Sequence, residues 1–357
     1  MKTQIAIIKG DGIGVEIIDA ALKVLKSVEK SFNHNFECKE VLMGGEAIDA
    51  VGVPLPDETL SVCKASAAVL FGAIGGAKWD KEPPNNRPEA GLLRLRKELG
   101  LFANLRPATL FPQLAHSSPL KAEILGKGID FVMVRELIGG IYFGEHKRFE
   151  QNSQLIAQDT LIYTHKQIAQ IVKVGFELAN KRAKRLVCVD KANVLESSRL
   201  WREVVADVAK SYPAVQYEFM LVDNAAMQLC KNPAQFDVIV TENMFGDILS
   251  DEASVLTGSL GVLPSASLRD DKFGLYEPIH GSAPDIAGKD LANPIGTILS
   301  LAMLLELSLG LITEANAIKK AINKVLDEGY RTADIMSEGL KQVGCAKMSE
   351  LICQNLH

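Results

Sequence analysis

The chain has 357 residues, of which 47% are apolar and 23% charged, and its net charge is −5 at pH 7. That length suffices for two domains of ordinary size, each with its own core. The negative balance argues against a nucleic-acid binder, which needs a basic patch or domain, and admits a small anionic substrate only where cationic side chains gather locally.

Along the chain, "QIAIIK" predicts a first strand and a helix follows from about Val15 to Lys30. Between them "GDGIG" sets glycines at Gly10, Gly12 and Gly14. The dinucleotide fingerprint is G-x-G-x-x-G, with an acidic residue about 20 positions further on. Here the spacing is G-x-G-x-G, Val15 holds the place of the last glycine, and "VEKSFNHNF" downstream closes no second strand with an acid. Two readings stand: a tight turn whose glycines supply positive φ, and a turn beside a ligand with Asp11 inside it. "AAVLFGAIG" (67–75) predicts a buried strand. "RPEAGLLRLRKELG" (87–100) predicts a helix, with Pro88 in its first turn and Gly100 at its C-terminal cap.

Further strand-like runs lie at 130–137, 185–192, 217–223 and 236–243, with helical patterns at 165–182, 196–210 and 244–257. This alternation predicts an α/β fold rich in parallel sheet. The runs end in "VRE", "VDK", "VDN" and "VTEN", and ligands of open α/β sheets bind beyond the carboxyl ends of strands. Residues 274–294 read as a long ligand-type loop. The apolar stretch 295–312 is interrupted by Glu306, Ser300, Ser308 and two glycines, so a buried core or interface helix is expected rather than a membrane span. The six cysteines are widely spaced and form no C-x-x-C pair, so buried free thiols are expected and neither a zinc site nor a redox pair. "MKTQIAII" lacks the marks of a secretory leader, and a cytoplasmic location is expected.

Four groups of residues have the chemistry of a site. In "LLRLRKELGLFANLRPA", a helix puts Leu92, Leu93 and Arg96 on one face, and Arg106 follows in an extended segment before Pro107. With Arg135 at the end of "DFVMVRE", these arginines form either a carboxylate clamp or ordinary surface ion pairs. Asp247 and Asp251 share a helical face at i and i+4, which costs a few tenths of a kcal/mol unless compensated. Oxygen ligation of Mg²⁺ or Mn²⁺, with Asp223 as a third carboxylate, would compensate. A solvated acidic face is the alternative, and the apolar neighbours Ile248, Leu249, Val255 and Leu256 weaken it. Tyr142 and Lys191 have the chemistry of a proton donor and a base. In the 274–294 segment, His280 and the N–H groups of Gly281, Ser282 and Ala283 could hold phosphate, and Asp285 could accept ribose hydroxyls.

Taken together, "GDGIGVE", "LLRLRKELGLFANLRPA", "VRELIGGIYFGE", "VDKANVL", "TENMFGDILSDEAS" and "HGSAPDIAGKDLANP" resemble the isocitrate/isopropylmalate family of β-decarboxylating dehydrogenases over nearly the whole chain. The resemblance implies a two-domain α/β fold of mostly parallel sheet that is not a Rossmann fold. It implies a cofactor-side domain of residues 1–101 plus 259–357, a metal and dimer-interface domain of residues 102–258, and an active site in the cleft between them. It gives Arg96, Arg106 and Arg135 the malate carboxylates, Leu92 and Leu93 the C3 side group, and Glu89 the nicotinamide. It gives Asp223, Asp247 and Asp251 the divalent metal, and Tyr142 and Lys191 the acid–base steps. His280 to Ile286 (His280, Gly281, Ser282, Ala283, Asp285, Ile286) and Asn293 take the adenosine of NAD. The implied assembly is a homodimer in which Lys191 and Asp223 reach across from the second subunit; no nucleic acid or membrane partner is implied. Segment 89–93, "EAGLL", repels a third carboxylate and accepts a branched alkyl group. 3-Isopropylmalate, a precursor in leucine biosynthesis, is therefore the expected substrate. The alternatives are D-malate, tartrate or isocitrate, or a catalytically silent regulatory subunit, which would have lost clamp, metal or acid–base residues; none is lost.

The cofactor expectation is testable. A 2′-phosphate beside Asp285 would meet like charge and find no donor, because an ionised carboxylate only accepts. The double change Asp285→Lys with Ile286→Tyr is expected to lower kcat/KM for NAD and raise it for NADP. Equal losses with both cofactors would show that Asp285 is structural.

Overall fold

A computed structural model describes residues 3–356. The chain forms two compact units, one made of the segments up to Leu101, Phe111–Ser117 and from Gly258 onward, the other of Phe102–Leu110 and Ser118–Thr257.

In the first unit the strands run in the order Phe36–Glu40, Thr3–Gly10, Ala68–Ala73, Gly274–Pro278, Pro264–Leu268. Three of the four neighbouring pairs are parallel, and the antiparallel pair joins the last two strands. This is not the 3-2-1-4-5-6 order of a Rossmann sheet. The central strands are apolar on both faces, as parallel strands covered by helices must be. Ile8, Val69, Phe71, Leu95 and Leu275 meet in one core cluster. Helix Gly14–Phe32 buries Ile17, Ile18, Ala21, Val24, Leu25 and Val28, the 3.6-residue stripe of an amphipathic helix. Residues 274–278 lie in a strand, so the predicted loop begins only after Pro278. The 295–312 stretch forms helix Ile295–Met303, buried at every residue, and then a π-helical turn, Leu304–Ser308. No helix among the described residues is long and apolar enough to cross a membrane.

In the second unit the order is Ala103–Thr109, Asp130–Glu136, Val238–Thr241, Arg185–Asp190, Gln216–Leu221, antiparallel in the first pair and parallel in the rest. Helix His165–Lys181 covers it with Ile168, Ile171, Val172, Phe176 and Ala179. A capping box of Thr164 and Gln167 starts this helix. Gly175 lets it approach the sheet, for a Cβ there would lie 3.1 Å from Leu186. Strands 185–190, 216–221 and 238–241 stop short of the predicted runs, because the polar residues after them belong to turns or to the following helices. The cysteine expectation holds in part: Cys63, Cys188 and Cys345 are buried, but Cys38 and Cys230 are exposed and Cys353 is half-buried. Apolar flanking residues do not fix which face of an element a thiol occupies.

The "GDGIG" turn is a point of close packing. Gly12 has φ +58°, and a Cβ there would lie 2.0 Å from the Ser282 carbonyl oxygen. Gly52 has φ +80° but open space around it. Gly52→Ala is therefore expected to cost only the left-handed strain, about 1–2 kcal/mol. Gly12→Ala should cost clearly more, read from urea unfolding midpoints at constant m value. Equal costs would mean that the contact with Ser282 is not a constraint.

Candidate functional site

In the first unit, the turn after strand Thr3–Gly10 is tied on three sides. The Asp11 carboxylate accepts N–H bonds from Gly45 at 2.8 Å, Glu46 at 2.9 Å and Gly75 at 2.8 Å. Burial pushes its pKa up, and these three donors pull against that shift. Asp11 thus holds the turn to the segments at 45–46 and 75. Ile13 N–H donates to the Ser282 carbonyl at 2.8 Å, and Ser282 Oγ donates to the Gly75 carbonyl at 2.7 Å. Glu89, exposed at the start of helix Pro88–Glu98, brings Oε1 beside Gly75, where a Cβ would lie 2.7 Å away. The structure therefore brings Glu89, the glycine turn and Ser282 together.

The loop after Pro278 divides its residues between packing and exposure. Ile286 packs with Ala283 and Ala287 against Ile13, Ile17 and Cys345. Asp285 is exposed, and its carbonyl accepts Lys289 Nζ at 2.7 Å. Gly281 has open space around it. Asn293 is buried and committed: Nδ2 donates to Asp334 Oδ2 at 3.1 Å, and Oδ1 accepts Ile295 N–H at the head of helix Ile295–Met303. His280 Nδ1 donates to the Gly281 carbonyl at 2.9 Å, and burial holds the imidazole pKa below its ordinary value. In that neutral ring Nε2 is an acceptor, and it is buried without a partner. An unpaired acceptor suits a hydroxyl or amino group of a nucleoside. It does not suit phosphate, which the sequence pattern had suggested for His280.

Helix Pro88–Glu98 carries Leu92 and Arg96 one turn apart, both half-buried, with Leu92 packed on the core. Leu93 is exposed. Arg96 NH2 donates to Glu277 Oε1 at 2.6 Å, and its Nε is buried without a partner.

In the second unit, Arg106 and Arg135 stand on neighbouring antiparallel strands. Arg135 is buried. It donates to the Asn243 carbonyl at 2.9 Å, to Asn243 Oδ1 at 2.8 Å and to Asp247 Oδ1 at 2.5 Å. Arg106 donates to Asn104 Oδ1, Ser250 Oγ and Asp251 Oδ1 at 2.7, 2.5 and 3.2 Å, and its NH2 lies 3.5 Å from Asp247 Oδ1. Tyr142 Oη donates to Asp247 Oδ2 at 3.2 Å. Burial, then the Asp247 charge, pushes the Tyr142 pKa up, so it is a protonated donor at neutral pH. Helix Asn243–Leu256 sets Asp247 and Asp251 on one face as predicted. Two of the neighbours invoked against a solvated acidic face are themselves exposed, Ile248 by 60% and Val255 by 58%, whereas Leu249 and Leu256 are buried. The acidic face is therefore bounded by apolar surface, not enclosed by it. Lys191 Nζ pairs with Asp223 Oδ1 at 2.5 Å, and this lysine lowers the Asp223 pKa. Among the described residues no three His, Cys, Asp or Glu side chains gather as a metal-binding group, so Asp223 does not join Asp247 and Asp251 within one chain. Asp247 and Asp251 present an oxygen-only donor set, which suits a hard divalent cation.

Sequence reasoning passed over Asn104, Asn243, Ser250 and Glu277, which hold the arginines, and Glu136, Tyr163 and Glu242 beneath them. The position of Asn243 after a strand end, in "TEN", was the available signal. The others stand far from their partners in the chain.

A family described as isocitrate/isopropylmalate dehydrogenase matches residues 4–352. Among curated proteins, the 3-isopropylmalate dehydrogenase of Helicobacter hepaticus is 62% identical over 356 residues, covering 100% of both chains. That of Clostridium acetobutylicum is 58% identical and covers 99% of each. Among solved structures, isocitrate dehydrogenase from Methylococcus capsulatus superposes with a TM-score of 0.85 at 33% identity, covering 99% of both chains. A β-decarboxylating dehydrogenase from Thermococcus kodakarensis gives 0.81 at 36% identity, covering 99% of this chain and 96% of that one.

Proposed function

The chain belongs to the isocitrate/isopropylmalate dehydrogenase family, and on that premise we propose that it catalyses the NAD-dependent oxidative decarboxylation of (2R,3S)-3-isopropylmalate to 4-methyl-2-oxopentanoate and CO₂. The observation that carries this reading is the cluster in which Arg106 and Arg135 hold Asp247 and Asp251 while Tyr142 donates to Asp247. It sets two carboxylate-binding cations, two metal-type carboxylates and a proton donor in one place.

Arg96, Arg106 and Arg135 bind the two malate carboxylates, since guanidinium groups meet carboxylates in a bidentate fork. Leu92 and Leu93 offer the apolar surface for the isopropyl group. Asp247 and Asp251, with Asp223, would hold Mg²⁺ or Mn²⁺, and such an ion supplies Lewis acidity to the alcohol oxygen and to the charge that develops on decarboxylation. The loop that leaves an acceptor unpaired at His280 Nε2 would hold NAD, which would supply a hydride acceptor when bound. Lys191, beside Asp223, removes the hydroxyl proton. Tyr142 delivers a proton to C3 after CO₂ has left, and its raised pKa keeps that proton in place beforehand. Lys191 and Asp223 are assigned to the site of a second copy of the chain, in a homodimer. The separation of Asp223 from the other two aspartates within one chain supports this assignment. The product has the carbon skeleton of leucine, which agrees with a role in branched-chain amino acid synthesis.

The reading predicts NADH formation in the order 3-isopropylmalate, then D-malate and isocitrate, assayed side by side, and none after chelation until Mg²⁺ or Mn²⁺ is restored. Smaller 3-alkyl groups should lose rate gradually, because one methylene in such a pocket is worth about 1–3 kcal/mol. Isocitrate turnover equal to that of 3-isopropylmalate would overturn the substrate assignment.

A further inference from the structure

Beneath the arginine–aspartate cluster lies a buried knot that no step above uses. Glu136 and Glu242, 1% and 5% exposed, follow from neighbouring parallel strands in which Arg135 is in register with Thr241. Between them sits Tyr163. Its Oη is 3.1 Å from Glu136 Oε2 and 3.3 Å from Glu242 Oε2, and it accepts the Asn243 N–H at 3.0 Å. A phenol has one proton to donate. If both acids were ionised, one of the two oxygen–oxygen contacts would contain no proton and two anions would face one another out of water. Like-charged carboxylates in such a site share a proton instead. A single added proton satisfies every atom: Tyr163 donates to one acid and accepts from the other, and from Asn243. The carboxyl oxygens also accept backbone N–H groups. Glu136 takes the N–H groups of Ile138 and Gly139 at 2.7 and 2.9 Å, and Glu242 Oε1 takes that of Phe245 at 2.9 Å.

We propose that the Glu136–Glu242 pair holds one proton at neutral pH and that, through Tyr163, it positions the substrate arginine Arg135 and the segment carrying Tyr142. Asn243 is the link to Arg135: its N–H is fixed by Tyr163, its carbonyl and Oδ1 grip Arg135, and its Nδ2 donates to the Gly139 carbonyl. The Gly139–Gly140 segment rests on Tyr163 directly. A Cβ at either glycine would come within 2.6 Å of that side chain. Burial pushes both carboxyls above the usual range, in agreement with the proton count. Among the described residues, Arg135 on the strand acts by its charge on Glu242, and Glu242 acts in turn on Tyr142 on the loop. From helix Glu196–Ala209, Trp201 packs edge-on against the Tyr163 ring. The roles of Arg135 and Tyr142 rest on the function proposed above; the protonation state does not.

The test separates the two. Infrared spectra of the substrate-free protein at pH 7 should contain a protonated-carboxyl band that disappears in Glu242→Gln, because the amide can donate to Tyr163 from the Oε2 position while the other oxygen keeps the Phe245 N–H. In turnover, Tyr163→Phe and Glu242→Ala should lower kcat/KM about 10–100-fold, as loss of an orienting partner does, while Glu242→Gln stays within about threefold of wild type. Retention of the band in Glu242→Gln would overturn the shared proton. A Glu242→Gln defect as large as that of Glu242→Ala would overturn the positioning role. An intact infrared result with no turnover of 3-isopropylmalate would count against the proposed substrate alone.

Discussion

Asp247 receives Arg135 and Arg106 on one oxygen and the Tyr142 hydroxyl on the other. Arg135 is buried, and a buried guanidinium without a carboxylate is strongly destabilised, on the order of 3–5 kcal/mol for breaking such a pair. The second unit is arranged to prevent that. Strand Val238–Thr241 ends one residue before the Glu242 cap, helix Asn243–Leu256 begins at once, and it delivers Asn243 and, one turn on, Asp247 to the guanidinium. Arg106 does the same for Asp251 from the adjoining strand. Two cations and two anions then leave the cluster near neutrality.

That balance constrains what can bind. A malate-type dianion alone would meet two aspartates, and a divalent cation alone would meet two guanidinium groups. Arriving together they add no net charge, and each takes over partners that the resting cluster pairs internally. The arrangement is therefore suited to a metal–dianion pair and poorly suited to either component. The first unit follows a related rule with backbone groups. Asp11 is satisfied by three N–H donors, and the glycine turn is pressed against Ser282, so the loop beyond Pro278 is held while Asp285 is exposed and His280 Nε2 stays unengaged.

The alternation of strands and helices was legible because apolar runs of four to eight residues and 3.6-residue stripes carry that signal locally. So was the shared face of Asp247 and Asp251, which needs only the helical period. The family could be read from segments such as "TENMFGDILSD" and "HGSAPDIAG". What could not be read depends on distant pairing. Tyr163 meets Glu136 and Glu242 across 27 and 79 residues, and Arg96 meets Glu277 across 181. Nothing in spacing announces such partners. Exposure was misjudged for the same reason: Ile248 and Val255 are apolar, yet the helix turns them outward. Donor direction was likewise invisible, since His280 becomes an acceptor at Nε2 only through its bond to the Gly281 carbonyl.

The central claim, that the arginine–aspartate cluster takes a divalent cation and a substrate dianion as a pair, is tested most directly by Mn²⁺ binding followed through the electron paramagnetic resonance signal of the free ion. Titrations of the whole protein with and without 3-isopropylmalate should show Mn²⁺ bound at least about tenfold more tightly when the dianion is present, a coupling of about 1.4 kcal/mol. Asp247→Asn should abolish that enhancement. Mn²⁺ affinity that is indifferent to the dianion, or unchanged by Asp247→Asn, would contradict the account.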